Sequence, residues 1–416
     1  MSKLDELILE KCPDGVRYKA LSEVFDTRNG YTPSKKEKSF WENGTVPWFR
    51  MEDIRENGGI LSKAMQYVSL EAAKGNPFPA NSIIVATSAT IGEHALITVP
   101  SLANQRFTYL LIKDKYRDVY DPKFLYYYCY KLDEYCKECL NQGNFASVDM
   151  KKFAKFQFPI LPLEIQREIV RILDNFTELT AELTAELTAR QKQYDFYRDK
   201  LLTFDVHRGG TTDIRWRSLC DIADISTGSS NTNEAVENGQ YPFFVRSQEP
   251  LRKDDYEYDE TAIITAGDGV GVGKVFHYIE GKYALHQRAY RIHINTPDVL
   301  PKYYFHYMKA KFLSYIQKAM FQGSVASIRR PMLNAFPVPI PSLEIQNRIV
   351  GVLDNFEKIC SDLNIGLPAE IEARQKQYEY YRDKLLTFAE VGGTIVTDRQ
   401  TDRQTDRQTD RQTESD

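Results

Sequence analysis

Gly267-Asp268-Gly269-Val270-Gly271-Val272-Gly273-Lys274 is the stretch of this 416-residue chain that looks most like a phosphate cradle. A phosphate-binding loop needs a glycine five residues before the glycine that precedes its lysine, and Ser or Thr after the lysine. Asp268 and Val275 stand at those places, and neither possible start gives the glycine spacing of a dinucleotide fold. A Gly-rich turn between strands, letting the backbone approach a ligand closely, is the better reading. Cys136-Lys137-Glu138-Cys139 has the spacing of half a zinc site, but no second pair follows and Cys129 falls on the same predicted helix. The six histidines fall singly, and Asn76-Pro77-Phe78-Pro79 only faintly echoes the Asn-Pro-Pro-Tyr loop of base amino-methylation. No catalytic residue, metal site or cofactor site is expected in this chain.

What remains is the chemistry of recognition. Arg and Gln can form paired hydrogen bonds to guanine and adenine edges in the major groove, whereas Lys and Ser mainly hold phosphates. Such residues recur at matched places. Gln105-Arg106 and Gln287-Arg288 could serve either base readout or framework. Gln142-Gly143 with Ser147, and Gln322-Gly323 with Ser327, could form a loop on the DNA backbone or a structural turn. Lys151 and Lys152 beside the first loop, and Arg329 and Arg330 beside the second, add positive charge there. Arg246 is a further candidate, and Lys35, Lys36 and Lys38 form a basic cluster that an ordinary solvated loop would also explain.

The elements that must position these residues come in two copies. Leu163-Glu164-Ile165-Gln166 returns 180 positions later as Leu343-Glu344-Ile345-Gln346, and Ala189-Arg190-Gln191-Lys192-Gln193-Tyr194 returns 184 positions later as Ala373-Arg374-Gln375-Lys376-Gln377-Tyr378. Ile83-Ile84 and Ile263-Ile264 repeat at 180, and the Gln-Arg pairs at 182. The chain is an internal duplication with pseudo-twofold symmetry, suited to a partner or substrate that also has two halves. Pro159-Ile160-Leu161-Pro162 ends a strand, and Ile165, Ile169, Ile172, Leu173, Phe176, Leu179, Leu183 and Leu187 then recur at helical spacing. An unbroken helix from Glu164 to Phe204 would be about 60 Å long. The second connector repeats the stripe, but Gly366 and Pro368 replace the tandem Thr180-Ala181-Glu182-Leu183 and Thr184-Ala185-Glu186-Leu187, so a break is predicted there. Two such stripes would pair as an antiparallel coiled coil, or cover their own neighbouring domains. The repeated polar wording suggests that both copies also meet one kind of external surface.

The fold class that follows is α+β: two globular domains joined by two long helical segments. The segments read as 1–158, 159–205, 206–338, 339–390, and a polar Thr-Asp-Arg-Gln tail from 391 that is too hydrophilic to pack. The net charge of -4 hides an asymmetry. Residues 1–158 carry 22 Lys and Arg against 20 Asp and Glu, and residues 206–338 carry 16 against 14. Each connector carries 6 against 9, so the acid sits on the connectors and the tail. This permits DNA contact by the two blocks without establishing it. No stretch approaches a membrane span, no signal peptide opens the chain, and six cysteines in so long a chain fit a reducing compartment, so a cytoplasmic location is expected.

Taken together, Pro-Leu-Glu-Ile-Gln at 162–166, its partner at 343–346, Leu-Asp-Asn-Phe at 173 and 353, and the Arg-Gln-Lys-Gln-Tyr and Tyr-Arg-Asp-Lys-Leu-Leu repeats make this chain resemble the specificity subunit of type I restriction-modification systems. The resemblance spans residues 16 to 390 or so, and the tail departs from it. It implies that each block is a target recognition domain reading half of a split, asymmetric double-stranded DNA site, with the helices setting the distance. It further implies that the helices dock two methyltransferase subunits, for which Gln191, Tyr194, Arg198, Gln375, Tyr378 and Arg382 are the candidate contacts, and that restriction subunits join the assembly. S-adenosylmethionine, ATP and magnesium would then belong to the partners, and this chain would be non-catalytic. A DNA-independent coiled-coil adaptor is the alternative; specific binding that weakens steeply with salt separates the two.

Overall fold

In the computed structural model, the described residues are 2–141, 146–204, 214–319, 327–362 and 365–391. The chain forms two compact units, one built from residues up to Thr180 together with those from Arg374 onward, the other from Ala181–Ala373. Each unit therefore holds one globular block and pieces of both connectors, and the unit boundaries fall inside the connectors. The reason lies in the burial of the first helical turns. Ile165, Ile169 and Leu173 are fully buried against Phe124, Leu125 and Phe158, so the start of the first connector belongs to the core of its own block. Ile349 and Leu353 do the same against Tyr304, Met308 and Val338 in the second unit.

Both blocks are α+β and share a framework. In the first, a five-stranded sheet runs in the order Phe25–Asn29, Phe107–Ile112, Ser82–Ala86, His94–Ile97, Ile60–Leu61. In the second, a six-stranded sheet runs Ala223–Thr227, Ala289–Ile294, Tyr258–Ala266, Phe276–Leu285, Tyr241–Phe244, Leu251–Lys253. The first four strands correspond, and so does their register: Ile83 opposes Leu110 and Ile84 opposes Tyr109, as Ile263 opposes Ile292 and Ile264 opposes Arg291. Ser82–Ala86 is buried along its whole length, which explains why a continuous apolar run stands there instead of an alternating one. A Tyr-rich helix packs on each sheet, Pro122–Glu138 in one block and Pro301–Ala319 in the other.

The repeated motifs close each block. Arg17–Ala20 pairs with Gln157–Ile160, and Arg215–Ser218 pairs with Pro337–Ile340, before each connector begins. The Gln of each Leu-Glu-Ile-Gln is wholly buried. Gln166 accepts from the Asp121 N–H at 2.8 Å and donates to the carbonyls of Val119 and Leu161 at 2.8 and 2.7 Å. Gln346 repeats this with the Leu300 N–H and the carbonyls of Asp298 and Pro341, all at 2.8 Å. The Asp of Leu-Asp-Asn-Phe acts likewise. Asp174 accepts from Lys123 and Tyr127, both at 2.7 Å, while at the matched place Asp354 lies 2.6 Å from His306 Nε2 and 3.7 Å from Lys302.

The first connector is a single helix, Leu163–Leu201, of 39 residues, ending three residues short of the predicted Phe204. The second is two helices, Leu343–Ser361 and Leu367–Leu385. The break falls where the sequence places it. Pro368 occupies the first turn of the second helix, and a Cβ on Gly366 would sit 2.6 Å from the Asp362 carbonyl. Within the first unit Phe176 meets Tyr378 and Tyr381, at ring distances of 6.5 and 5.6 Å. Within the second, Tyr194 and Tyr197 meet Phe356 at 6.3 and 5.9 Å. The far end of the second connector also joins the first block: Val16 donates to Ala389 at 2.8 Å and Tyr18 to the Phe388 carbonyl at 3.1 Å. No helix among the described residues is long and apolar enough to cross a membrane.

Candidate nucleic-acid interface

The two Gln-Arg pairs occupy the same tight turn in each block. In the first, the turn follows Leu102–Ala103, a strand that runs parallel to Val46–Phe49, and the Asn104 N–H donates to Phe49 at 3.0 Å. In the second, the end of Phe276–Leu285 runs parallel to Tyr241–Phe244, and the His286 N–H donates to Phe244 at 2.9 Å. The residue before each Gln caps the turn: Asn104 Oδ1 accepts from the Arg106 N–H and His286 Nδ1 from the Arg288 N–H, each at 3.0 Å. Burial, and then the charges of Arg246 and Arg288, hold the His286 pKa below its ordinary value, which suits a neutral ring accepting at Nδ1.

This geometry divides the two roles left open by sequence. The backbone of each turn is framework, while the side chains of Gln105, Arg106, Gln287 and Arg288 belong to exposed residues. The glutamines are already oriented: Gln105 pairs with Thr32 and Gln287 with Asn231, each at 2.5 Å. The turns are tied to a second loop in the same way. Thr87 donates to the Arg106 carbonyl at 3.0 Å and Gly267 to that of Arg288 at 2.9 Å. The next residues, Ser88 and Asp268, bridge Ser147 and Ser327. Backbone pairing thus accounts for both serines at their matched positions. Gln142 and Gln322 lie outside the described residues, as does the tail from 392.

Other basic candidates divide. Lys35, Lys36 and Lys38 are exposed, as are Lys151 and Lys152 on the short helix Met150–Phe153. Arg329 is exposed at the start of Arg330–Asn334, whereas the guanidinium of Arg330 donates to the Ile225 carbonyl and is tethered within its block. Arg246 and Arg288 both reach Asp268, at 2.8 and 3.3 Å. His306, Asp354 and Glu357 bring ligand atoms within 4.8 Å of one another, but Lys302 and Lys309 are already ion-paired to the two carboxylates, Lys309 at 2.6 Å, and supply the positive charge a metal would bring.

The docking candidates differ in exposure and contacts. Tyr378 is buried, with Arg382 lying 4.4 Å over Tyr130 and 5.7 Å over Tyr378. Tyr194 donates to Glu357 at 3.2 Å, and Arg198 pairs with Asp195 and lies over the Tyr194 ring. Tyr194 and Tyr378 face the neighbouring helical piece and Arg382 reaches the Tyr130 ring of its block, whereas the partners of Arg198 lie on its own helix. Gln191 and Gln375 remain exposed. Two neighbours that sequence reading passed over stand out further: Phe196 is 61% exposed and Tyr380 56%. Each lies edge-on to the next aromatic with an interplanar angle of 76°, and each has a lysine over its ring, Lys200 at 5.8 Å and Lys384 at 5.6 Å. Their signal was available, since Phe196-Tyr197 repeats at offset 184 as Tyr380-Tyr381, with Phe196 and Tyr380 two residues beyond Tyr194 and Tyr378 and so turned about 200° from them on the helix.

The family described as the type I restriction modification DNA specificity domain matches residues 13–190 and 213–373. The chain is 41% identical over 374 residues to the EcoprrI specificity subunit of Escherichia coli, covering 85% of this chain and 91% of that one. It is 35% identical over 291 residues to the EcoR124I/EcoR124II specificity subunit, covering 64% and 70%. Among solved structures, the S subunit from M. genitalium superposes with a TM-score of 0.53 at 15% identity, over 89% of this chain and 95% of that one. A chain from a structure of type I R-M complex assembly and conformational transition gives a TM-score of 0.61 at 17% identity, over 89% and 97%. At these identities the two structures speak for the fold.

Proposed function

Because the chain belongs to the family of type I restriction-modification DNA specificity subunits, we propose that it reads a split, asymmetric duplex site, one half with each sheet-based block, on behalf of partner subunits that carry the chemistry. The chain itself is the non-catalytic, sequence-specific DNA-binding subunit. The observation that carries the division into two readers is the turn built twice on one framework, with exposed Gln105-Arg106 on one copy and Gln287-Arg288 on the other. The residues around the two turns differ, so the half-sites should differ too. Methylome sequencing of cells carrying this gene with its methyltransferase partner tests the reading: one motif of two dissimilar halves around a fixed gap is expected, and a continuous motif would refute it.

S-adenosylmethionine, ATP and magnesium are assigned to the methyltransferase and restriction partners. The matched aromatic-lysine faces, Phe196 with Lys200 and Tyr380 with Lys384, support a reading with two methyltransferase subunits per chain, because two copies of one surface suit two copies of one partner. Exposed aromatics of this kind are common anchors of interfaces. Phe196→Ala should leave one methyltransferase subunit bound and the double variant with Tyr380→Ala none, measured as complex mass in solution. Since both side chains are exposed, the folding stability of the variants should change by no more than about 0.5 kcal/mol. A double variant that still binds two subunits would place the docking faces elsewhere.

A further inference from the structure

The Gly-rich stretch that fails as a phosphate cradle has another use in the fold. Gly267 donates to the Arg288 carbonyl, and a Cβ on Gly267 would lie 2.7 Å from that oxygen. A Cβ on Gly271 would lie 2.6 Å from the Arg246 carbonyl. Two glycines thus press one loop against the backbone of both arginines. Between them, Asp268 places Oδ1 2.8 Å from Arg246 Nη1 and Oδ2 3.3 Å from Arg288 Nη1, while its backbone bridges Ser327.

We propose that Asp268 is a positioning residue that holds Arg246 and Arg288 as a paired reader of guanine edges in the half-site recognised by the second block. This rests on the block being a DNA reader. The bonds to Asp268 use Nη1 of each guanidinium, which leaves Nε and Nη2 of each for the two acceptors, O6 and N7, that guanine offers in the major groove. A long arginine side chain loses rotamer entropy when it is fixed on a base, and a shared carboxylate removes part of that cost before DNA arrives. The carboxylate also argues against a phosphate contact. It would stand beside the bound phosphate and repel it, whereas a base edge is neutral. The trio is particular to the second block, since Ser88 stands at the matched place in the first and bridges Ser147 as Asp268 bridges Ser327.

The test uses the full chain assembled with its methyltransferase partner, duplex probes carrying the methylome-defined motif or single substitutions in it, and a random duplex. Asp268→Asn keeps the shape and removes a negative charge, so binding to random duplex should rise a few-fold. Binding to the motif should nevertheless fall about tenfold, with one position of the second half-site relaxed and the first half-site unchanged. Arg246→Ala and Arg288→Ala should each reduce discrimination at one G·C pair by roughly tenfold or more, and Arg288→Lys should restore the charge without restoring the discrimination. If Asp268→Asn tightens matched and random duplexes alike with the motif intact, Asp268 is only an acid on a basic surface and the proposal fails. It fails as well if the arginine variants weaken all duplexes equally. A wild-type complex that marks no bipartite motif would refute the DNA-reader assignment itself, a separate outcome.

Discussion

Deleting one Thr-Ala-Glu-Leu unit from the first connector is expected to shorten the gap between the two half-sites by one or two base pairs, with both half-sites unchanged. The tandem Thr180–Leu187 lies inside the unbroken helix Leu163–Leu201, and the boundary between the compact units falls within it, at Thr180 and Ala181. Removing four residues shortens a helix by about 6 Å and turns it about 40° beyond a full turn. On duplex rising roughly 3.4 Å per base pair, that is one or two pairs. Ala181, Glu182, Thr184, Ala185 and Glu186 are exposed, so no core contact is lost with them. Adding a unit should lengthen the gap by the same step. Methylome sequencing of the length variants reads the result directly; changed half-sites around an unchanged gap would show that the helix is not the ruler.

Gln346→Ala should destabilise the second unit by about 3 kcal/mol, and Gln166→Ala the first by a similar amount. Each substitution strands one backbone N–H and two carbonyls in a buried setting, and each stranded group costs about 1–3 kcal/mol before the surroundings relax. For a unit of this size that corresponds to a fall of roughly 10 °C in melting temperature. Gln346→Glu should not rescue, because a carboxylate can accept from Leu300 but cannot donate to the carbonyls of Asp298 and Pro341. Denaturant unfolding of the full chain measures this, and a loss below about 1 kcal/mol would mean that the amide does not clamp the helix start. Gln191→Ala, on an exposed face of the first connector, is the matched control.

The repeated polar wording of the connectors was legible in the sequence, but its meaning was only partly so. Identity at Gln166 and Gln346 and at Asp174 and Asp354 accompanies matched internal hydrogen bonds, and Tyr194 and Tyr378 make matched ring contacts with Phe356 and Phe176. A buried hydrogen-bond network constrains polar side chains as tightly as an interface does, so repetition alone cannot tell them apart. The exposed aromatics beside them are a different case. Phe196 and Tyr380 are large, apolar and solvent-facing in both units, which an internal role does not explain. Asp268 was passed over for another reason. It mattered in the sequence only as the residue that spoiled a phosphate loop, and its arginine partners lie 20 and 22 positions away, at distances no local spacing rule covers.

The sequence by itself determined the duplication, the α+β class, the one long helix, the break at Gly366 and Pro368, and the family resemblance. All of these rest on local periodicity, turn chemistry or direct repetition, which act over a few residues and survive without knowledge of the fold. Tertiary structure alone decided how the chain divides, because each connector's first turns are buried in the core of one block while its far end, at Leu202 or Leu386, is buried in the core of the other. It also decided which repeated residues face inward, and that one carboxylate gathers Arg246 and Arg288. Such contacts depend on strand register and on the direction of a side chain from its backbone, and those are set only when the sheet and the helix that covers it pack together.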